Sequence, residues 1–214
     1  MKKDLSLILI DIKNYIFIYI LPIFIIYCFF LPYLISEIQP IQNPVEKELT
    51  YFIISQKYLN IFVVYYGWLL LRNYIESDLV ETLMCLDTHY RIRKVFYAFV
   101  LYIIILIPYF IMTIIMLDHY LYLILGLVFE FIILICIFYG MTMLLKSCLI
   151  TFVSLIIIIL LFTQFFIVEE PYILFHPTLL TSQLPISYWI IQSCIGVGIL
   201  IIGFLIEKKK LYMN

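Results

Sequence analysis

Glu130 is a carboxylate inside the apolar run LGLVFEFIILICIFYG, where few side chains could be less at home. At such depth a carboxyl group must be buried among helices, line a cavity or hold a proton. Two readings stay open. In one, Glu130 is a gate or substrate contact in a pathway, or a proton or cation site. In the other it is a neutral, hydrogen-bonded carboxyl joining helices, or it lies nearer the outer interface. Gln164 is a second pathway candidate; for it and Gln192, bonding between helices is the more frequent role. The other reactive types form no catalytic set. His89, His119 and His176 fall on different predicted faces, and the pair Glu169 and Glu170 has no base beside it. The five cysteines contain no CxxC and none lies in an outer loop, so neither a disulfide nor a zinc framework is expected. The six glycines never form G-x-x-x-x-G-K-[ST], so ATP hydrolysis is not expected on this chain. No catalytic residue, metal or cofactor is expected here.

The elements that position Glu130 follow from composition. Of 214 residues, 66% are hydrophobic and 13% charged, more apolar side chain than one soluble core can hide. A hydrocarbon layer of about 30 Å needs about 20 mostly apolar helical residues. Six such runs occur, at about 15–35, 50–71, 95–117, 121–145, 147–168 and 186–206. The second contains Lys57, in the outer third, where its stem can carry the ammonium to the interface. Period-two alternation is absent, which excludes an outer-membrane barrel. The chain therefore reads as one all-α integral membrane domain over 1–214 with six transmembrane helices.

Basic residues set the orientation, since cytoplasmic loops carry the excess of Lys and Arg. With the N-terminus inside, only Lys47 and Lys57 of the 13 basic residues fall outside. Both termini are expected in the cytoplasm. The net charge of −1 sums two faces in different solutions and points to no nucleic-acid partner. Asp11 and Lys13 interrupt the early apolar stretch, so no cleaved leader is expected. Tyrosines near span ends, among them Tyr15, Tyr33, Tyr120, Tyr122 and Tyr188, read as an interfacial belt, as do Trp68 and Trp189.

Four segments lie between or before the spans. Leu5, Ile8, Leu9 and Ile12 recur at helical spacing, which predicts an interfacial helix over 1–14. Ser36 to Leu49, with Pro40, Pro44, Glu37, Glu46 and Glu48, reads as a short solvated turn. The inner stretch 72–94 places Leu79, Leu83, Leu86 and Tyr90 on one helical face. Glu76, Asp78 and Glu81 come early in it and Arg91, Arg93 and Lys94 late, as a helix dipole favours. Such a helix can fill a groove on another protein or simply lie on lipid. Glu169 to Pro185, broken by Pro171, Pro177 and Pro185, is too short to span and predicts an outer re-entrant or interfacial segment before the sixth span.

This order of parts resembles the permease subunit of the second class of ABC exporters. The most telling stretch is Glu76 to Lys94: Glu76, Leu79, Glu81, Leu83 and Leu86 echo the first half of the family's pattern, and Arg91, Arg93 and Lys94 the second. The family's glycine and proline are absent. The resemblance implies that two six-span subunits, identical or homologous, pair with cytoplasmic ABC ATPase subunits that hold ATP and Mg. It also implies that a coupling helix containing Glu76, Asp78, Leu79, Glu81, Leu83, Leu86, Tyr90 and Arg91 docks on the ATPase. The expected setting is a bacterial plasma membrane, and the expected cargo an amphipathic peptide or other hydrophobic compound. The alternatives are a membrane assembly or peptide-immunity factor without transport, and an ion-coupled carrier using Glu130. An intramembrane protease of the CAAX type is set aside, because Leu174 stands where that signature has Arg.

Overall fold

The computed structural model describes residues 10, 12–76, 91–165 and 186–213. The described residues are overwhelmingly helical and contain no strand. Six long helices succeed one another: α1 (Ile16–Ile38), α2 (Pro44–Ile75), α3 (Ile92–Met116), α4 (Tyr120–Leu145), α5 (Cys148–Phe165) and α6 (Ile186–Met213). Four of them are long and apolar enough to cross a membrane: α1, α3, α4 and, within α6, Ile190–Lys208. The predicted interfacial helix, the 77–90 part of the inner helix and the outer segment Glu169–Pro185 lie wholly or almost wholly outside the described residues.

The helix ends have local causes. Asn43 caps α2 by accepting a hydrogen bond from the Val45 backbone N–H at 3.1 Å, with Pro44 at the first helical position and Glu46 in the first turn. The helix thus begins at Pro44 and takes in the end of the stretch whose prolines and acids read as a solvated turn. Leu117 ends α3 in extended backbone, and Lys146 ends α4 in the left-handed region at φ 56°. Proline inside a helix removes a donor, and neighbouring hydroxyls serve the carbonyls beside each break. Pro22 leaves the Ile18 carbonyl without its usual donor; Tyr65 donates to it at 3.2 Å, and Tyr66 donates to the next carbonyl, Tyr19, at 2.9 Å. Near Pro108 in α3, Tyr27 donates to the Ile105 carbonyl at 2.6 Å. Tyr27 itself lies in a π-helical turn, Ile26–Phe30, that interrupts α1 between Pro22 and Pro32.

α2 is the hub of the bundle, packing against α3, α4 and α5 and against the last turns of α1. That position explains why the longest helix is also among the most polar. Its Ser55, Gln56 and Asn60 are buried by other helices, so none has to meet hydrocarbon. Tyr51 and Tyr109 stack at 5.9 Å, and the buried hydroxyls of Tyr51 and Ser55 bond Thr113 and Tyr109 of α3 at 2.5 and 2.6 Å. The end-of-helix tyrosines Tyr15, Tyr33, Tyr120 and Tyr122 are exposed, as a belt requires. Tyr19, Tyr51, Tyr66, Tyr102, Tyr109 and Tyr139 are buried instead, so the same residue type builds both belt and core.

Consecutive helices run in opposite senses, and their ends are tied in two groups. At one end Glu48 of α2 accepts from the His119 backbone N–H at 3.1 Å and lies 3.0 Å from its Nδ1, while the Lys47 ammonium donates to the α3 carbonyl of Met116 at 3.1 Å. At the other, Glu76 just past α2 accepts from the Ser147 hydroxyl at 2.7 Å and from the Leu149 N–H at 2.9 Å, which anchors the start of α5. Glu207 of α6 accepts from the Arg91 N–H at 2.7 Å and from the Tyr139 hydroxyl at 2.5 Å.

Candidate functional site

Midway along α4, Glu130 is 1% exposed and faces α2. Gln56 and Asn60 stand one turn apart on that helix, a spacing that puts both on one face. Gln56 donates its amide N–H to one carboxyl oxygen of Glu130, and Asn60 donates to the other at 3.2 Å. Both amides are as deeply buried as the acid. A wall on the α3 side is made by Tyr102, whose ring meets Phe131 edge-on at 5.3 Å and whose hydroxyl donates to the Leu59 carbonyl at 2.7 Å.

The electrostatics are one-sided. Among the described residues no Lys, Arg or His bonds Glu130, and the Asn60 Oδ1 is buried without a donor. The site thus offers the oxygens of Glu130 and Asn60 beside two carboxamide N–H groups, with no cationic side chain bonded to them among the described residues. A second unpartnered amide, the Gln192 Nε2 of α6, is buried one turn before Gly196, which abuts Ile133 of α4. Among the described residues no group of three or more His, Cys, Asp or Glu could hold a metal.

The residues singled out from sequence do not gather in one place. Glu130 sits at mid-bundle, whereas Glu76 and Arg91 sit at the bundle end that carries Ser147 and Glu207. Asp78, Leu79, Glu81, Leu83, Leu86 and Tyr90 fall outside the described residues, and Gln164 is placed on α5 by its backbone alone. Three participants were missed: Gln56, Asn60 and Glu207. Two carboxamides a turn apart in an apolar run are a legible signal that another span must supply an acceptor, and Glu130 is the natural candidate. Glu207 directly follows the sixth apolar run and precedes three lysines, with nothing local to mark its role as an acceptor for Tyr139 and Arg91.

The class these features define is a protein whose described residues form a helical bundle, four of its helices suited to a bilayer and a buried carboxyl–amide cluster at its centre. The chain matches no protein-family model, no curated protein and no solved structure.

Proposed function

We propose that this chain is a permease subunit of an ATP-driven exporter of the second ABC class, with α2 and α5 joining the four apolar helices as a six-span bundle whose termini lie in the cytoplasm. The observation that supports it best is the pair of anchors flanking residues 77–90. Glu76 ties one flank to the start of α5, and Arg91 ties the other to α6 through Glu207. A push on that segment by a cytoplasmic ATPase would reach α2 and α3 through the chain and α5 and α6 through these bonds. Transport then rests on differential contact energy: the ATPase binds one arrangement of the spans better than the other, and ATP closure selects it. Two permease subunits, identical or homologous, would enclose the pathway. The aromatic and aliphatic spans, with almost no fixed charge, suit an amphipathic peptide or another hydrophobic compound.

The expected result of Leu83→Glu or Leu86→Glu is a chain that still inserts in the membrane but no longer stimulates, or is driven by, its ATPase. Transport in reconstituted vesicles and ATPase rate, measured together, check this. A variant that keeps full coupling would remove the segment from the proposed interface.

A second reading rests on the buried cluster. Glu130 with Gln56 and the free Asn60 oxygen is the kind of site that an ion-coupled carrier uses. It predicts transport that follows an imposed ion or proton gradient without ATP and stops in Glu130→Gln.

A further inference from the structure

Two buried N–H groups at the Glu76 end of the bundle have no acceptor: the Nε of Arg72 and the Nε1 of Trp68. They lie one turn apart in the last two turns of α2. The Arg72 guanidinium is held 4.9 Å from the Tyr15 ring of the α1 entry and 5.1 Å from the Trp68 ring. Trp68 is fixed in turn by stacking on Phe152 of α5 at 5.5 Å. Arg72 makes no ion pair among the described residues, and the closest carboxylate along the chain, Glu76, is already engaged by Ser147 and Leu149. A cation and two donors without acceptors are thus brought together where the α1 entry, α2 and α5 meet.

An arginine so placed calls for an anion with several acceptor oxygens, and phosphate fits that geometry best. The neighbours on the membrane side decide between a lipid and a free phosphate. Ile16 and Phe17 at the start of α1 and Leu149 and Val153 at the start of α5 are exposed and apolar. A soluble phosphate has no use for such a rim. Acyl chains do. Aromatic rings at the level of the headgroups, with a basic residue beside them, are also where a span meets the interface.

We propose that Arg72, Trp68 and Tyr15 form a binding site for the phosphate of an anionic phospholipid, with its acyl chains along the exposed apolar starts of α1 and α5. The site requires the chain to lie in a bilayer and is independent of what the chain transports. The lipid bridges the α1 entry, α2 and α5 and so fixes the spacing of α1 and α5 about α2.

The test uses the full chain in mild detergent, titrated with phosphatidylglycerol, phosphatidylcholine or inorganic phosphate, with bound lipid read by native mass spectrometry and thermal protection read in parallel. Wild-type protein is expected to prefer phosphatidylglycerol to phosphatidylcholine. Loss of one charge-assisted contact in Arg72→Gln should weaken that binding about tenfold or more. Trp68→Phe, which keeps the ring and removes the donor, should weaken it by a smaller factor, and this milder variant keeps the test open if Arg72→Gln fails to fold. Lys146→Gln, an exposed basic residue at the same end of the bundle with no contact to Arg72, Trp68 or Tyr15, should bind like wild type. Undiminished preference in both Arg72→Gln and Trp68→Phe would overturn the site. So would an equal loss in Lys146→Gln, which would mark diffuse surface charge. Full protection by inorganic phosphate alone would replace the lipid with a soluble ligand and overturn it too.

Discussion

Glu130→Ala is expected to destabilise the bundle far more than Glu130→Gln. Alanine leaves the Gln56 and Asn60 amides buried with no acceptor. An orphaned buried donor costs about 1–3 kcal/mol in a soluble protein, and hydrogen bonds between helices in a bilayer are worth somewhat less, so the two together should cost roughly 2–4 kcal/mol. Glutamine keeps the shape and one carbonyl acceptor, and reversing one partner amide lets its own N–H₂ donate, so about 1 kcal/mol or less should be lost. Thermal unfolding in detergent, followed through the two tryptophans, checks the order. Equal and small shifts for Ala and Gln would mean that Glu130 does not join α2 to α4. The comparison also separates roles: a carboxyl needed for ion coupling would make Gln inactive while leaving it stable.

Gly140→Ala should cost more than the same change at Gly67, Gly196 or Gly198. A Cβ at Gly140 would run into the backbone carbonyl of Ile199 on α6, and one at Gly203 would lie 2.7 Å from the Gly140 Cα. Backbone meets backbone here, so no side chain can move aside. Close approach through small residues is a common way for helices to associate in lipid, where burial of apolar surface drives nothing. Overpacking of this kind costs about 1–3 kcal/mol, and the shift should also pull Glu207 away from Tyr139 and Arg91. Gly198→Ala is the matched control, because nothing lies within 4 Å of its added methyl. It should be neutral or mildly stabilising, as alanine is the better helix former. If both variants unfolded at the same temperature, the α4–α6 contact would not be as close as described.

The helices were legible because a run of about 20 apolar residues has few other uses. The start of α2 was legible in principle and misread in practice. Asn43 followed by Pro44 and Glu46 is a helix-start pattern, but the prolines and acids around it also describe a turn, and only the pairing of Glu48 with His119 distinguishes them. α2 as a whole shows the limit of hydropathy, since a helix wrapped by others can carry Ser55, Gln56 and Asn60 at no cost in lipid contact. The Glu130 cluster was half visible: the acid stood out, but its partners depend on which helices are neighbours, and that is a property of packing. The buried tyrosines escaped for the same reason. A tyrosine at a helix end and one bridging Pro22's broken ladder are indistinguishable until the helices are assembled.

The measurement that bears most directly on the proposed function is purification of the tagged full chain from its own host membrane in mild detergent, with copurifying proteins identified and assayed. A soluble ATPase subunit in one-to-one amount is the expected result, lost when Leu83 or Leu86 is made charged. Recovery of the chain alone, or only with other membrane proteins and without ATPase activity, would contradict it and turn attention to Glu130 as the site of an ion-coupled function.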